Sequence, residues 1–348
     1  MFRKQHFGKS PVADVLILGG TRNLGHVTSL ALLEAGHNVS VMNRGVTPDE
    51  LPPEVQRIRG DRNDSGAMRR ATQDRDFDLV LDTTTYTGSD ARSAIGVFSG
   101  HVGRYVFIST GQVYLVRQGI SRPFREASYD GPVMPEPPRD SEDYDAWAYG
   151  AWKRDAEDEF SAAFAGEGFP VTTLRLPMVA SERDHYGRIQ AYVARLLDGN
   201  AILVPDEPGL PLRHVYVGDV ARLIVRLLDS REGTGRAYNI SCGESMSLAD
   251  FLATLARLVD RTLDVRRLPR AELTRAGLLP QCSPFSGRWM SELDNTRSLA
   301  ELGEGTISYT APEAYLPLII EDYEKRWQSN EMIPSGCDQR LREKAFAS

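Results

Sequence analysis

The chain has 348 residues, 41% of them hydrophobic, which is enough to bury a large core and to form either two lobes or one large domain with an appended one. A formal net charge of -7 argues against nonspecific attachment to nucleic acid or to an anionic membrane surface. Cys242, Cys282 and Cys337 are scattered without metal-ligand spacing, which excludes a zinc site and a disulfide framework and fits a reducing cytoplasm.

In chain order, residues 1–13 read as a charged tail without an apolar signal region, and no later apolar run is long enough to span a bilayer, so the expected address is cytoplasmic. "DVLILGG" is a short apolar run ending in glycine. "LGHVTSLALLEAGH" follows with helical spacing, and "NVSVMNRG" reads as a strand. The alternation continues through the strand "VQRIRGD", the helix "SGAMRRATQ", the strand "FDLVLDTTT", the helix "DARSAIGVFSG" and the strand "RYVFIST". Strands alternating with helices predict an α/β, Rossmann-type, doubly wound parallel sheet whose ligands sit at the carboxyl ends of the strands. Residues 115–144, rich in proline and acid, predict a long surface excursion. The helix "DAWAYGAWKRDAEDEFSAAFAGEG" and the strand "PVTTLRLP" come next. Beyond Pro177 a smaller lobe is predicted from "IQAYVARLLDGN", "AILVP", "HVYVG", "DVARLIVRLLDS", "AYNIS" and "SLADFLATLARLVD", the last with Ser247 as N-cap.

The turn "GGTRNLG" joins the first strand to the first helix, where backbone N–H groups and the helix N-terminus favour a pyrophosphate. Gly19, Gly20 and Gly25 supply the close approach; Thr21, Arg22, Asn23 and Leu24 complete the loop. At the end of the second strand, an NAD site usually carries an acid for the ribose hydroxyls. Asn43 and Arg44 stand there instead, and a neutral amide with a cation suits the 2′-phosphate of NADP, with NAD the alternative. Arg22 is then a second candidate clamp on that phosphate.

"YGAWK" sets Tyr149 and Lys153 on one helix face, and no other tyrosine in the chain has a lysine four residues on. The chain has only five lysines, and Lys153 is the sole one between Lys9 and Lys325. A compact ammonium where arginine is otherwise preferred points to a requirement for lysine. An ammonium near a phenol favours the phenolate, so Tyr149 is expected to pass a proton while a nicotinamide moves a hydride. Ser109 and Thr110 end a predicted strand with hydroxyls able to bind a substrate oxygen.

Together "GGTRNLG", Gly60 and Asp61, "FISTGQVY", "YGAWK", "LRLP" and "HVYVGDVA" resemble the extended short-chain dehydrogenase/reductase superfamily, the NAD(P)-dependent epimerase/dehydratase group, over about residues 14–260. The arginine-bearing glycine loop and the following "NRG" look like an atypical branch with isoflavone-reductase-like and chloroplast stem-loop-binding members. The resemblance implies a catalytic set of Thr110, Tyr149 and Lys153. It implies a cofactor set that adds Asp61, Arg62, Thr83, Thr84 and Pro177 to the loop and to Asn43 and Arg44. The substrate candidates are Gln112, His185, Tyr186, Arg188 and Arg213. The implied domains are 14–176 for the cofactor and 177–330 mainly for substrate, interleaved with the sheet, with a second tail at 331–348.

Three departures narrow the expected chemistry. Gly111 and Gln112 stand where sugar 4,6-dehydratases carry acids, so dehydration is not expected. "MVASERD" lacks the usual glycine after the arginine-proline pair. Leu212 stands where nucleotide-sugar enzymes place a diphosphate-binding arginine, with Arg213 beside it. The expected protein is an NADP(H)-dependent reductase or epimerase at a secondary alcohol or ketone of a sugar or nucleotide-sugar-like metabolite, a homodimer through the tyrosine helix with Trp152, Phe160 and Phe164. The alternatives are a ketone reductase on a non-sugar substrate and a cofactor-holding, RNA-associated binding protein.

Overall fold

The computed structural model describes residues 11–46, 48–72, 75–230, 232–302 and 308–328. The predicted tail at 331–348 and most of that at 1–13 lie outside them. Strand β1 (Asp14–Leu18) leads into α1 (Asn23–Glu34), then β2 (Asn38–Asn43), β3 (Gln56–Arg59), α2 (Ser65–Thr72), β4 (Phe77–Asp82), α3 (Gly88–Phe98) and β5 (Val102–Thr110). After the short α4 (Gln112–Leu115) and a 3-10 turn at Glu126–Tyr129 come α5 (Tyr144–Glu167), β6 (Val171–Leu176), β7 (Val179–Ala180), α6 (Arg188–Asp198), β8 (Ile202–Pro205) and β9 (Val215–Tyr216). The chain continues through α7 (Val217–Leu227), β10 (Arg236–Asn239), α8 (Leu248–Leu258), β11 (Val265–Leu268), α9 (Arg270–Arg275), α10 (Thr296–Glu301) and α11 (Pro312–Gln328).

Seven strands form one parallel sheet in the order β10-β6-β5-β4-β1-β2-β3. The chain moves outward from β1 to β3, then returns to β4 on the other side of β1, so the crevice at the carboxyl ends of β1 and β4 is the switch point where such sheets bind ligands. The strands are apolar on both faces because both are covered. Val15 and Ile17 of β1 join a core with Leu24, Leu32, Val220 and Ile224 from α1 and α7. Leu16 and Leu18 join the opposite core with Ala91, Phe98, Ala156 and Phe160 from α3 and α5. A third core, built on Tyr192, Phe251, Phe285 and Leu316, belongs to the smaller lobe. Among the described residues no helix is long and apolar enough to cross a membrane.

Three local differences from the expected elements have physical causes. "HVYVG" contributes only a two-residue strand, because Val217 already opens α7. The 115–144 excursion is ordered by contacts that no local pattern encodes. Arg117 pairs with Val133 across the excursion, and Phe124 pairs with Leu293, far along the chain. β10, read from "AYNIS" within the later lobe, adds to the edge of the main sheet beside β6. Ser247 does cap α8, accepting the Asp250 N–H at 3.0 Å.

Candidate active site

The carboxyl ends of β1, β2, β4, β5 and β6 enclose a cavity of about 530 Å³, within the range of small-molecule sites. The whole loop Gly19–Gly25 lines it, with Asn43, Arg44, Gly45 and Val46 after β2, Thr83, Thr84 and Tyr86 after β4, Ile108, Leu176, Val179 and His185. Gly19 has φ +106°, and a Cβ there would lie 2.4 Å from Thr83 Oγ1. A Cβ on Gly25 would meet the Gly20 Cα at 2.7 Å, so only glycine lets α1 approach the loop this closely. No side chain caps α1 and its first turn carries no acid, which leaves its N–H groups for another acceptor. Asn23 Oδ1 and Asn43 Nδ2 are buried without a partner. Glycines that clear a cradle, an open helix N-terminus and two orphaned polar atoms fit a dinucleotide.

Asn43 ends β2 with its Oδ1 accepting the Gly45 N–H at 2.8 Å and an Arg59 N–H at 2.6 Å. Arg22, Asn43 and Arg44 therefore border one cavity, and among the described residues no carboxylate lines it.

Against Ile108 and Tyr86 of this wall, and not themselves lining the cavity, lie Thr110, Tyr149 and Lys153. Thr110 ends β5 and its Oγ1 accepts the Gln112 N–H at 3.2 Å. The Thr110 side chain lies near enough to the Tyr149 hydroxyl to favour its ionised form. Helix α5 reaches this position because Gly150 packs on α4, where a Cβ would lie 2.7 Å from the Gln112 carbonyl oxygen. The Gln112 amide donates to the Ala146 carbonyl at 3.2 Å, tying the first turn of α5 to the end of β5. Lys153 is buried, and its Nζ donates to the carbonyls of Thr85 at 2.6 Å and Ile108 at 2.8 Å. Two of three ammonium protons are thus committed and one is left. The Phe107 and Tyr86 rings flank it, their centroids 4.7 and 5.1 Å from Nζ.

The electrostatics differ from the sequence expectation. Burial, followed by the neighbouring Tyr86, pushes the Tyr149 phenol well above its ordinary value, and Lys153 is not among the leading influences on it. The ammonium is turned to backbone carbonyls, and burial lowers its own pKa to about 8. Burial therefore keeps the Tyr149 phenol in its neutral form.

A buried network supports this end. Arg175 of β6 binds Glu157 of α5 through Nε at 3.1 and 3.0 Å and Nη2 at 2.5 Å. Glu157 also accepts the Ser109 hydroxyl, and Arg175 Nη1 reaches Tyr114 at 2.6 Å. Glu157 lies one turn beyond Lys153, so the network locks α5 against β5 at the residue beside Thr110.

Several expected residues are elsewhere. Arg62 donates to Thr85 Oγ1 at 2.7 Å and Asp82 Oδ2 at 3.0 Å. Burial raises the Asp82 pKa, but Arg62 and the Thr85 and Tyr105 hydroxyls outweigh it, so the pair stays ionised below β4 and Arg62 does not line the cavity. Asp61 folds back on the Asn63 N–H at 2.9 Å and is not on the cavity wall, nor is Pro177. Arg213 donates to Ser245 at 2.9 Å and to the Leu293 carbonyl at 2.9 Å and does not line the cavity. His185 is on the wall, with the Tyr186 ring tilted against it, centroids 4.0 Å apart. Arg188 binds Asp184 at 2.8 and 3.1 Å and lies over Tyr186.

Two neighbours of the site were not anticipated. Tyr86 follows directly on the "TTT" that ends the strand, so its place at a strand's carboxyl end was the available signal. Ser291 packs on Gly111, where a Cβ would lie 2.3 Å from Ser291 Oγ, and nothing in the local pattern brings residues 180 apart together.

The chain is 28% identical over 291 residues to 2′-dehydrokanamycin reductase of Streptomyces kanamyceticus, covering 74% of this chain and 78% of that protein. It is 22% identical over 253 residues to the chloroplast stem-loop binding protein of 41 kDa b of Arabidopsis thaliana, covering 69% of this chain but only 61% of that protein's length. Its fold matches the UDP-glucose 4-epimerase of Thermotoga maritima, solved with UDP-glucose, at TM-score 0.70 and 19% identity, over 90% of this chain and 99% of that one. It also matches the Bordetella bronchiseptica enzyme WbmH, solved with NAD+, at TM-score 0.68 and 21% identity, over 92% and 100% of the two chains. Residues 15–241, carrying the glycine loop, Thr110, Tyr149 and Lys153, match the NAD dependent epimerase/dehydratase family, and the chain belongs to it.

Proposed function

We propose that this chain is an NADP(H)-dependent oxidoreductase that interconverts a ketone and a secondary alcohol on a sugar-like metabolite, with reduction the favoured direction. The observation that carries the reading is the grouping of Tyr149, Thr110 and Lys153, the last one helical turn along, against Ile108 and Tyr86 of the glycine-loop cavity wall. The bound nicotinamide supplies the hydride. Thr110 orients the carbonyl oxygen, and Tyr149, neutral because burial raises its phenol, gives that oxygen a proton. Lys153, with two of its N–H groups on the Thr85 and Ile108 carbonyls, keeps one for a ribose hydroxyl. Gln112 has no ionisable proton and is occupied with Ala146, which supports reduction without loss of water.

NADP is favoured because two arginines and, among the described residues, no carboxylate line the cavity. A phosphate there gains charge-assisted bonds, whereas an NAD site would use an acid to hold the ribose diol. Arg22, Asn43 and Arg44 form the clamp. The relative that is a 2′-dehydrokanamycin reductase supports a ketone on a sugar ring as substrate. Trp152 and Phe164 of α5 are exposed, 46% and 38%, and support pairing of two copies through that helix, whereas Phe160 is spent on the core. We read the chain as acting in the cytoplasm.

The test is deuteride transfer. Protein, NADPH deuterated at the transferring position and a panel of keto-pyranosides are incubated, and the alcohols are weighed by mass spectrometry. A deuterium on the new carbinol carbon is the expected result; none with any ketone, together with steeply salt-dependent binding of stem-loop RNA, would favour the RNA-associated alternative.

A further inference from the structure

Of the nine large hydrophobic side chains exposed among the described residues, Tyr86 (49%) and Tyr186 (65%) both lie near Tyr149. Tyr86 lines the cavity, and the Tyr186 ring is tilted against His185, which lines it too. Single exposed apolar residues are ordinary, but two exposed aromatic rings beside one cavity mark a binding surface. Both are phenols, and they meet a third. The Tyr86 and Tyr149 rings lie 6.2 Å apart at 52°, and Tyr86 and Tyr186 both act electrostatically on the Tyr149 hydroxyl. Neither the Tyr86 nor the Tyr186 hydroxyl bonds to another described residue.

Tyr86 is also rigidly held. Its N–H donates to Asp90 Oδ2 at 3.0 Å, inside the capping box that Thr87 and Asp90 form at the start of α3. The carbonyl just before it, on Thr85, takes the Lys153 ammonium. The backbone that places Lys153 thus places Tyr86, and its ring stands between the cavity and the catalytic phenol. Arg188, the cation that acts on Tyr149, is held by Asp184, so the phenols here face a paired guanidinium.

We propose that Tyr86 is a specificity-determining residue: its ring is the platform for the C–H face of a cyclic polyol, and its hydroxyl and that of Tyr186 take the hydroxyls flanking the carbon whose oxygen meets Tyr149. The proposal rests on the reading of Tyr149 as the proton donor. A saturated sugar ring offers both an apolar face and flanking hydroxyls, whereas a plain alicyclic ketone offers only the first.

The test is saturation-transfer NMR of methyl α-D-glucopyranoside and of cyclohexanol on the protein loaded with NADP+, with Tyr86→Ala, Tyr86→Leu and Tyr86→Phe. Wild type is expected to transfer saturation to the pyranoside ring protons and to prefer that probe to cyclohexanol. Tyr86→Ala and Tyr86→Leu are expected to weaken pyranoside binding by about three- to tenfold, Tyr86→Phe by less, with every protein kept saturated with NADP+. Tyr86→Leu retains apolar bulk and separates loss of the platform from collapse of the wall. Pyranoside binding unchanged in both non-aromatic variants, no preference over cyclohexanol, or no binding by wild type would overturn the proposal. Pyranoside binding that depends on Tyr86 in a protein that transfers no hydride would support this subsite and sink the oxidoreductase reading.

Discussion

The two ends of the site are held differently. At the inner end Lys153 is 3% exposed and bonded to two backbone carbonyls, Thr110 lies near the Tyr149 hydroxyl, and a buried arginine-carboxylate pair braces the helix that carries Tyr149 and Lys153. At the outer end Arg22 and Arg44 border open space, and Asn43 between them is fixed by the Gly45 N–H and by Arg59. The contrast teaches where precision is needed. A proton must be handed over within hydrogen-bond distance, so its donor is held by burial and packing. A phosphate is recognised by charge, which tolerates mobile side chains.

If that contrast is correct, variants at the two ends should fail differently. Lys153→Met keeps the bulk of the side chain but removes the ammonium, and it should lower kcat by about 10²- to 10³-fold in a keto-pyranoside assay while leaving NADPH affinity within a few-fold. A kcat near wild type would remove lysine from the chemistry. Arg44→Asp should instead act on binding. It should weaken NADPH by about 10- to 100-fold, the value of a charge-assisted phosphate bond, and leave NADH affinity equal or improved, as read by nicotinamide fluorescence titration. Equal weakening of both cofactors would place Arg44 on the shared part of the dinucleotide and break the comparison.

The smallest effect is a pH profile. Burial holds Lys153 near pKa 8, below the ordinary lysine value of 10.5, so its ammonium is present below about pH 8 and is lost above it. Because kcat/KM for the cofactor reports the free enzyme, that quantity should be flat on the acid side and fall by about tenfold per pH unit above 8. A level profile to pH 10 would contradict it. The linkage has the opposite sign for folding: the unfolded chain binds the extra proton between about 8 and 10.5, so this group's share of stability rises with pH across that window.

The parts legible in the sequence were those with local periodicity or a fixed spacing. The alternation of strands and helices up to β6 follows from short-range pattern. The Tyr149–Lys153 pair follows from helical geometry, sharpened by the scarcity of lysine. Asn43 and Arg44 could be placed at the end of the second strand because that end is set by the same alternation. What was not legible depends on contacts far apart in the chain. Asp61 and Arg62 looked like cofactor contacts by position, but Asn63 and the buried Asp82 draw their side chains away. Arg213 looked available, yet Ser245 and the Leu293 carbonyl hold it. Ser291 beside Gly111 and Phe124 beside Leu293 bring the later lobe against the end of β5, and no window of sequence contains both partners. The direction of the Tyr149 shift was missed for the same reason, since burial is a property of the assembled core.

The account stands most directly on Tyr149. Wild type and Tyr149→Phe should be compared in the deuteride-transfer assay with both proteins saturated by deuterated NADPH and the same keto-pyranoside. The expected result is a deuterated alcohol from wild type and a rate lower by about 10²- to 10⁴-fold from the variant, at unchanged NADPH affinity. Transfer at the wild-type rate by Tyr149→Phe would contradict the assignment of that phenol as the proton donor.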